Sequence, residues 1–157
     1  MTIVYISRHS QPFSDLINNY KTNDTFQIRN EKNSLSVDGE ERARKLSEYN
    51  ELKNIDVIYS SHYVRTMSTA KYVAEKNNIK LNIDERFGER KFGINNFNEL
   101  PKDYFEHQGL DWDYKIGNGE SLNEVSFRMK EALIEILNKY KDKNIILLAP
   151  GKKKKKN

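Results

Sequence analysis

The chain is predicted to adopt an α/β fold, a three-layer α/β/α sandwich around a mostly parallel sheet, on two observations. Four short apolar or β-branched runs, residues 3–7, 56–60, 80–83 and 145–149, lie near turn signals. Helical patterns separate them, and strands that alternate with helices form a parallel sheet covered on both faces. Such sheets bind ligands outside the C-terminal ends of their strands, so the residues following each run define the candidate site.

Taken in order, the first run (IVYIS) leads directly into Arg8-His9-Ser10. Ser36 is a suitable N-cap for a helix in which Ala43, Leu46 and Tyr49 repeat at a spacing of three. The second run (DVIYS) leads into Ser61-His62 and then Arg65, where a second helix places Met67, Ala70 and Val73 or Ala74 on one face and stops near Asn77-Asn78. The third run (KLNI) precedes DERFGER, which contains Glu89. A short helix is expected from 101 to 108, with Pro101 in its first turn and Gly109 beyond its end. The longest helix begins at Ser121, which with Glu124 makes a capping box, and continues to Tyr140. The fourth run (IILLA) ends in Ala149-Pro150-Gly151 and five lysines.

At 157 residues the chain is of single-domain size and can bury a core. Hydrophobic residues make up 36% and charged residues 32%, but the apolar positions are periodic, which favours folding over disorder. There is no cysteine, which removes disulfides and thiolate metal sites. The apolar stretch before Arg8 is too short for a signal-peptide core or a membrane span, so a cytoplasmic protein is expected. The formal charge of +4 drops by five to −1 once the lysine run is set aside, so the basic balance belongs to residues 152–156. The rest of the chain shows no basic stripe interleaved with aromatics, and neither nucleic acid nor membrane is expected as a partner.

Arg8 offers a planar fork of donors suited to phosphate oxygens, and the imidazole of His9 is a competent phosphoryl acceptor. Arg65, at the start of the second helix, can add a second fork to the same anion, assisted by the positive end of that helix. Glu89 is placed to act as a proton donor, with a surface ion-pair network as the alternative reading. Ser10, Gln11 and His62 are further pocket candidates, and His107 is expected to be exposed.

Five ordered stretches resemble the histidine phosphatase superfamily, which contains the phosphoglycerate mutases. RHSQP at 8–12 is similar to its Arg-His-Gly signature, with Ser10 in the place of glycine. LSVDGEERA at 35–43 resembles its Leu-Thr-x-x-Gly helix start, and DVIYSSHYVRTMSTA at 56–70 its Ser-Ser-Pro-x-x-Arg segment, with His62 for proline. DERFGERKFG at 84–93 resembles the acid-bearing loop, and GNGESLNEV at 117–125 the Gly-Glu-Ser stretch before the long helix.

The resemblance implies a phosphoglycerate mutase-like sandwich and a two-step reaction on a small phosphorylated substrate. His9 would become phosphohistidine, Arg8 and Arg65 would hold the phosphate, and Glu89 would protonate the leaving oxygen. Neither metal nor other cofactor would take part. The family's second histidine follows the fourth strand, and Pro150 stands in its place. Proline can neither donate a hydrogen bond nor carry charge. The domain is therefore expected over 1–149, without the family's last helix and strand, and 150–157 as a basic tail outside it. Two readings of that tail remain: a shortened, non-catalytic member, or residues that are not the native continuation. A stretch between Gly93 and Gly117, with Lys102 and Lys115 its only basic residues, would roof the site. That favours a phosphatase over a mutase, whose small acidic substrate would call for more positive charge.

Overall fold

Strand β4 (Asn144–Ala149) is the central organiser of the sheet. It pairs in parallel with β1 (Ile3–Arg8) on one side and with β2 (Val57–Ser60) on the other, and β2 pairs with β3 (Leu81–Ile83). The order β1-β4-β2-β3 is wholly parallel, as the alternating pattern requires. The computed structural model describes residues 1–13 and 23–151; the lysine run at 152–156 lies outside the described residues.

Alternation along β4 sends its side chains to two different cores. Ile146 and Leu148 join Ile58, Leu52, Ile55, Ala70 and Val73 on one face, while Ile145 and Leu147 join Val57, Phe87, Ala132 and Ile136 on the other. The first face is covered by α3 (Val64–Asn77), with Leu46 of α2 (Val37–Leu46) packed against the same cluster; the second is covered by α5 (Leu122–Lys139). These are the three layers expected of the sandwich. A third cluster, Phe26, Phe92 and Tyr104 with Ile94, Leu100, Tyr114 and Ile116, lies apart from the sheet faces.

The helix signals act where they were read. Ser36 Oγ accepts from Gly39 N at 3.0 Å and starts α2. Ser121 and Glu124 exchange both bonds of a capping box at the start of α5. Asn78 closes α3 in the left-handed conformation, at φ 51°. Gly39 is obligatory for a different reason: a Cβ there would lie 2.0 Å from the carbonyl oxygen of Gln11, which accepts from Ser36 N at 3.0 Å.

Two elements differ from expectation. The short helix expected over 101–108 is α4, Tyr104–Leu110, shifted by about a turn, with Gly109 inside it. Pro101 instead belongs to a preceding turn closed by Tyr104 N on Pro101 O at 3.0 Å, and Gly109 is tolerated because its side-chain position faces open space. A further helix, α1 (Phe26–Lys32), has no counterpart in the sequence reading. No helix among the described residues is long and apolar enough to cross a membrane.

Candidate active site

The C-terminal ends of β1, β2 and β4 bring the candidate residues to one edge. Arg8 is the last residue of β1, in register with Ala149 of β4, and His9 N donates to Ala149 O at 3.4 Å. The turn that follows β4 therefore runs beside His9. Arg65 lies in the first turn of α3, two residues after the N-cap Tyr63, and is 3% exposed. Glu89 follows a short 3₁₀ segment (Glu85–Phe87) that itself follows β3.

Three of the four principal candidates are joined by hydrogen bonds. Arg65 Nε donates to His9 Nε2 at 3.2 Å, and Arg65 Nη2 donates to Glu89 Oε2 at 2.8 Å. On its other side, His9 Nδ1 is 2.6 Å from the carbonyl oxygen of Ser10. A carbonyl oxygen only accepts and a guanidinium N–H only donates, so Nδ1 carries the proton and Nε2 presents its lone pair. That is the protonation state a nitrogen nucleophile needs.

Burial disfavours the Arg65 cation, and the nearby Arg8 charge works in the same direction, while Glu89 and Tyr63 oppose both. The result is a guanidinium held below its ordinary range. Its face stacks 4.7 Å from the Tyr63 ring centroid. Burial also raises the Tyr63 hydroxyl to about 12, so Tyr63 stays neutral.

Arg8 is exposed at the strand end, and a Cβ at Gly151 would stand 3.2 Å from its Cδ. Arg8 and Ser10 line a cavity of about 330 Å³ with Arg42, Lys45 and Tyr49. Ser10 is committed to structure: its N–H donates to Thr69 Oγ1 at 2.9 Å and its hydroxyl to Gly39 O at 2.7 Å. Gln11 contributes its backbone to the start of α2. His62 Nε2 lies 3.2 Å from Glu31 Oε1 on α1, and His107 is exposed, 3.6 Å from Asp103.

Sequence reasoning missed three groups around this core. Asn30 of α1 is 4% exposed and touches both Arg65 and Glu89. Arg90 stacks among Phe92, Phe105 and Tyr104 with centroid distances of 5.0, 5.2 and 5.9 Å, so this aromatic cluster holds a cation that the 93–117 stretch alone did not reveal. Arg128 of α5 donates to the carbonyls of Gly88 and Glu89 at 3.0 and 3.3 Å and fixes the acid-bearing loop. The Glu-Arg-x-Phe-Gly sequence was the available signal for Arg90; nothing in the periodicity pointed to Asn30.

The comparison with known proteins fits this geometry. Residues 4–152 match the profile of the histidine phosphatase superfamily (branch 1). The chain belongs to that superfamily. Within it, the chain is 26% identical over 161 residues to the probable phosphoglycerate mutase GpmB of Enterobacter sp. (strain 638), covering 96% of this chain and 70% of the relative. The fold is shared with Bacillus stearothermophilus YhfR at a TM-score of 0.76 and 23% identity, over 96% of this chain and 75% of that one. It is also shared with the mycobacterial glucosyl-3-phosphoglycerate phosphatase at 0.75 and 19%, over 93% and 72%. The chain is thus similar to a relative named as a probable mutase and shares its fold with a protein named as a phosphatase.

Proposed function

We propose that this histidine phosphatase hydrolyses small phosphomonoesters through a phosphohistidine on His9. The observation that supports the reading is the chain of hydrogen bonds from His9 Nε2 through Arg65 to Glu89, which joins an imidazole, a guanidinium and a carboxyl group in one cluster. Substrate phosphate oxygens compete for the Arg65 donors and for Arg8, which releases the Nε2 lone pair toward phosphorus. Nε2 forms the N–P bond as the ester P–O bond breaks, and Glu89 supplies the proton taken up by the leaving oxygen. Water then attacks phosphohistidine, gives a proton back to Glu89, and phosphate leaves. Positioning and charge stabilisation by the two arginines supply most of the acceleration. Phosphoglycerate mutase-type transfer remains the rival within the same chemistry.

One observation favours a second reading, a domain that binds phosphate without turnover. Pro150 follows Ala149, whose carbonyl accepts from His9 N–H, so the position beside the nucleophile holds a ring with no donor. Steady-state hydrolysis of p-nitrophenyl phosphate by the parent chain, His9→Ala and Pro150→His separates the readings. Hydrolysis by the parent, abolished in His9→Ala and raised in Pro150→His, is the expected outcome. Hydrolysis that persists in His9→Ala contradicts the assigned nucleophile. Binding of orthophosphate by a parent with no turnover, seen as a rise in melting temperature, establishes the second reading.

A further inference from the structure

α1 carries none of the residues assigned a chemical step, yet it reaches the centre of the site. The main-chain carbonyl of Asn30 accepts from Arg65 Nη1 at 2.6 Å, and its side-chain amide donates to Glu89 Oε2 at 3.2 Å. The same Glu89 oxygen accepts from Arg65 Nη2 at 2.8 Å, so Asn30, Arg65 and Glu89 close a ring of hydrogen bonds. One residue thus holds the fork with its backbone and the acid with its side chain.

The placement of Asn30 is itself enforced. A buried amide without a partner is costly, so this one specifies its neighbour. Thr25 Oγ1 accepts from Ile28 N at 3.3 Å and caps α1, while Phe26 is buried against Phe92. Two ties fasten α1 to the residues just ahead of Arg65: Glu31 to His62 at 3.2 Å, and Gln27 Nε2 to the Tyr63 hydroxyl at 3.0 Å.

We propose that Asn30 is a positioning residue that fixes the Glu89 carboxyl group relative to Arg65, so that the acid meets the leaving oxygen. This rests on the phosphatase reading above. Without the amide, Glu89 Oε2 keeps its bond to Arg65 but loses the second donor that fixes its direction. A misplacement of about 1 Å in a catalytic group costs about 10²-fold in rate. The loss falls on substrates whose leaving oxygen needs a proton, and spares activated esters that depart as stable anions.

The test compares the parent with Asn30→Ala and the isosteric Asn30→Asp, on glycerol 2-phosphate and on p-nitrophenyl phosphate. Asn30→Ala is expected to lower kcat/KM, which reports only the steps up to loss of the alcohol, by about 10²-fold on the alkyl ester, and to leave kcat/KM on the aryl ester within a few-fold. Equal losses on both esters mean that Asn30 only supports the fold, and overturn the proposal. Asn30→Asp sets a second carboxylate against Glu89 and Arg65, and is expected to weaken orthovanadate binding by about tenfold, read by titration calorimetry. Vanadate affinity unchanged in Asn30→Asp, with parent-like kcat/KM on glycerol 2-phosphate in Asn30→Ala, also overturns it. If the parent forms no phosphohistidine and hydrolyses neither ester, the phosphatase reading falls, and the vanadate titration alone decides whether Asn30 acts on the Arg65–Glu89 pair.

Discussion

Arg65 uses each of its donor directions on a different partner: Nε on His9, Nη1 on Asn30 and Nη2 on Glu89. A lysine keeps the charge but has one ammonium on a flexible stem, and cannot hold three partners in one plane. Arg65→Lys is therefore expected to lose about 10²–10³-fold in kcat, comparable to removing one oriented donor from an oxyanion site. Retention of more than half the parent kcat on p-nitrophenyl phosphate would contradict the assignment of Arg65 as the central fork. That Arg8, His9, Arg65 and Glu89 lie at one end of the sheet was legible because each follows a predicted strand. Asn30 was not, because its role depends on a backbone carbonyl and one amide, and neither leaves a mark on spacing or composition.

Among the elements, α5 does more than cover the sheet. From its second turn, Arg128 reaches back to the loop that bears Glu89, and Glu120 holds it there, with Oε1 2.8 Å from Nε and Oε2 2.9 Å from Nη2. Glu120 Oε2 also accepts from Lys91 N at 2.9 Å. Burial works against the Glu120 charge, but Arg128 and the Lys91 amide outweigh it and hold the carboxyl below its ordinary value of 4.5. A carboxylate whose folded value is depressed contributes stability above its unfolded value, and that contribution is lost as pH falls through the folded value. The melting temperature of the parent is thus expected to exceed that of Glu120→Gln near neutral pH, with the gap closing below about pH 4. A gap that stays constant down to about pH 3 would show that the Glu120 charge contributes nothing to folding. The two long helices could be read from sequence because their apolar repeats run for several turns and each has one explicit cap, Asn78 at the end of α3 and Ser121 at the start of α5. α1 and α4 are seven residues each, too short for periodicity to define. That is why α4 was displaced toward Pro101 and α1 passed unnoticed.

At the level of the whole molecule, the parallel sheet turns scattered sequence positions into a site. Parallel pairing in register places the ends of β1, β4 and β2 side by side, so residues 8, 9, 65 and 150 share one edge although they span most of the chain. The two-faced packing of β4 makes this edge rigid, since its buried residues are fixed from both sides. Strand order could not be read from the strand runs, because β4 is last in sequence but internal in the sheet. What resemblance supplied was the two-step reaction expected at that edge, together with the anomaly of Pro150 where the family's second histidine would stand. The most direct measurement is phosphorylation of the intact chain by phosphoramidate, followed by mapping of the acid-labile phosphate by mass spectrometry. Phosphate on the peptide containing His9, absent from His9→Ala and discharged by water, is the expected result. Phosphate on another residue, or labelling equal in His9→Ala, would contradict a phosphohistidine mechanism at this site.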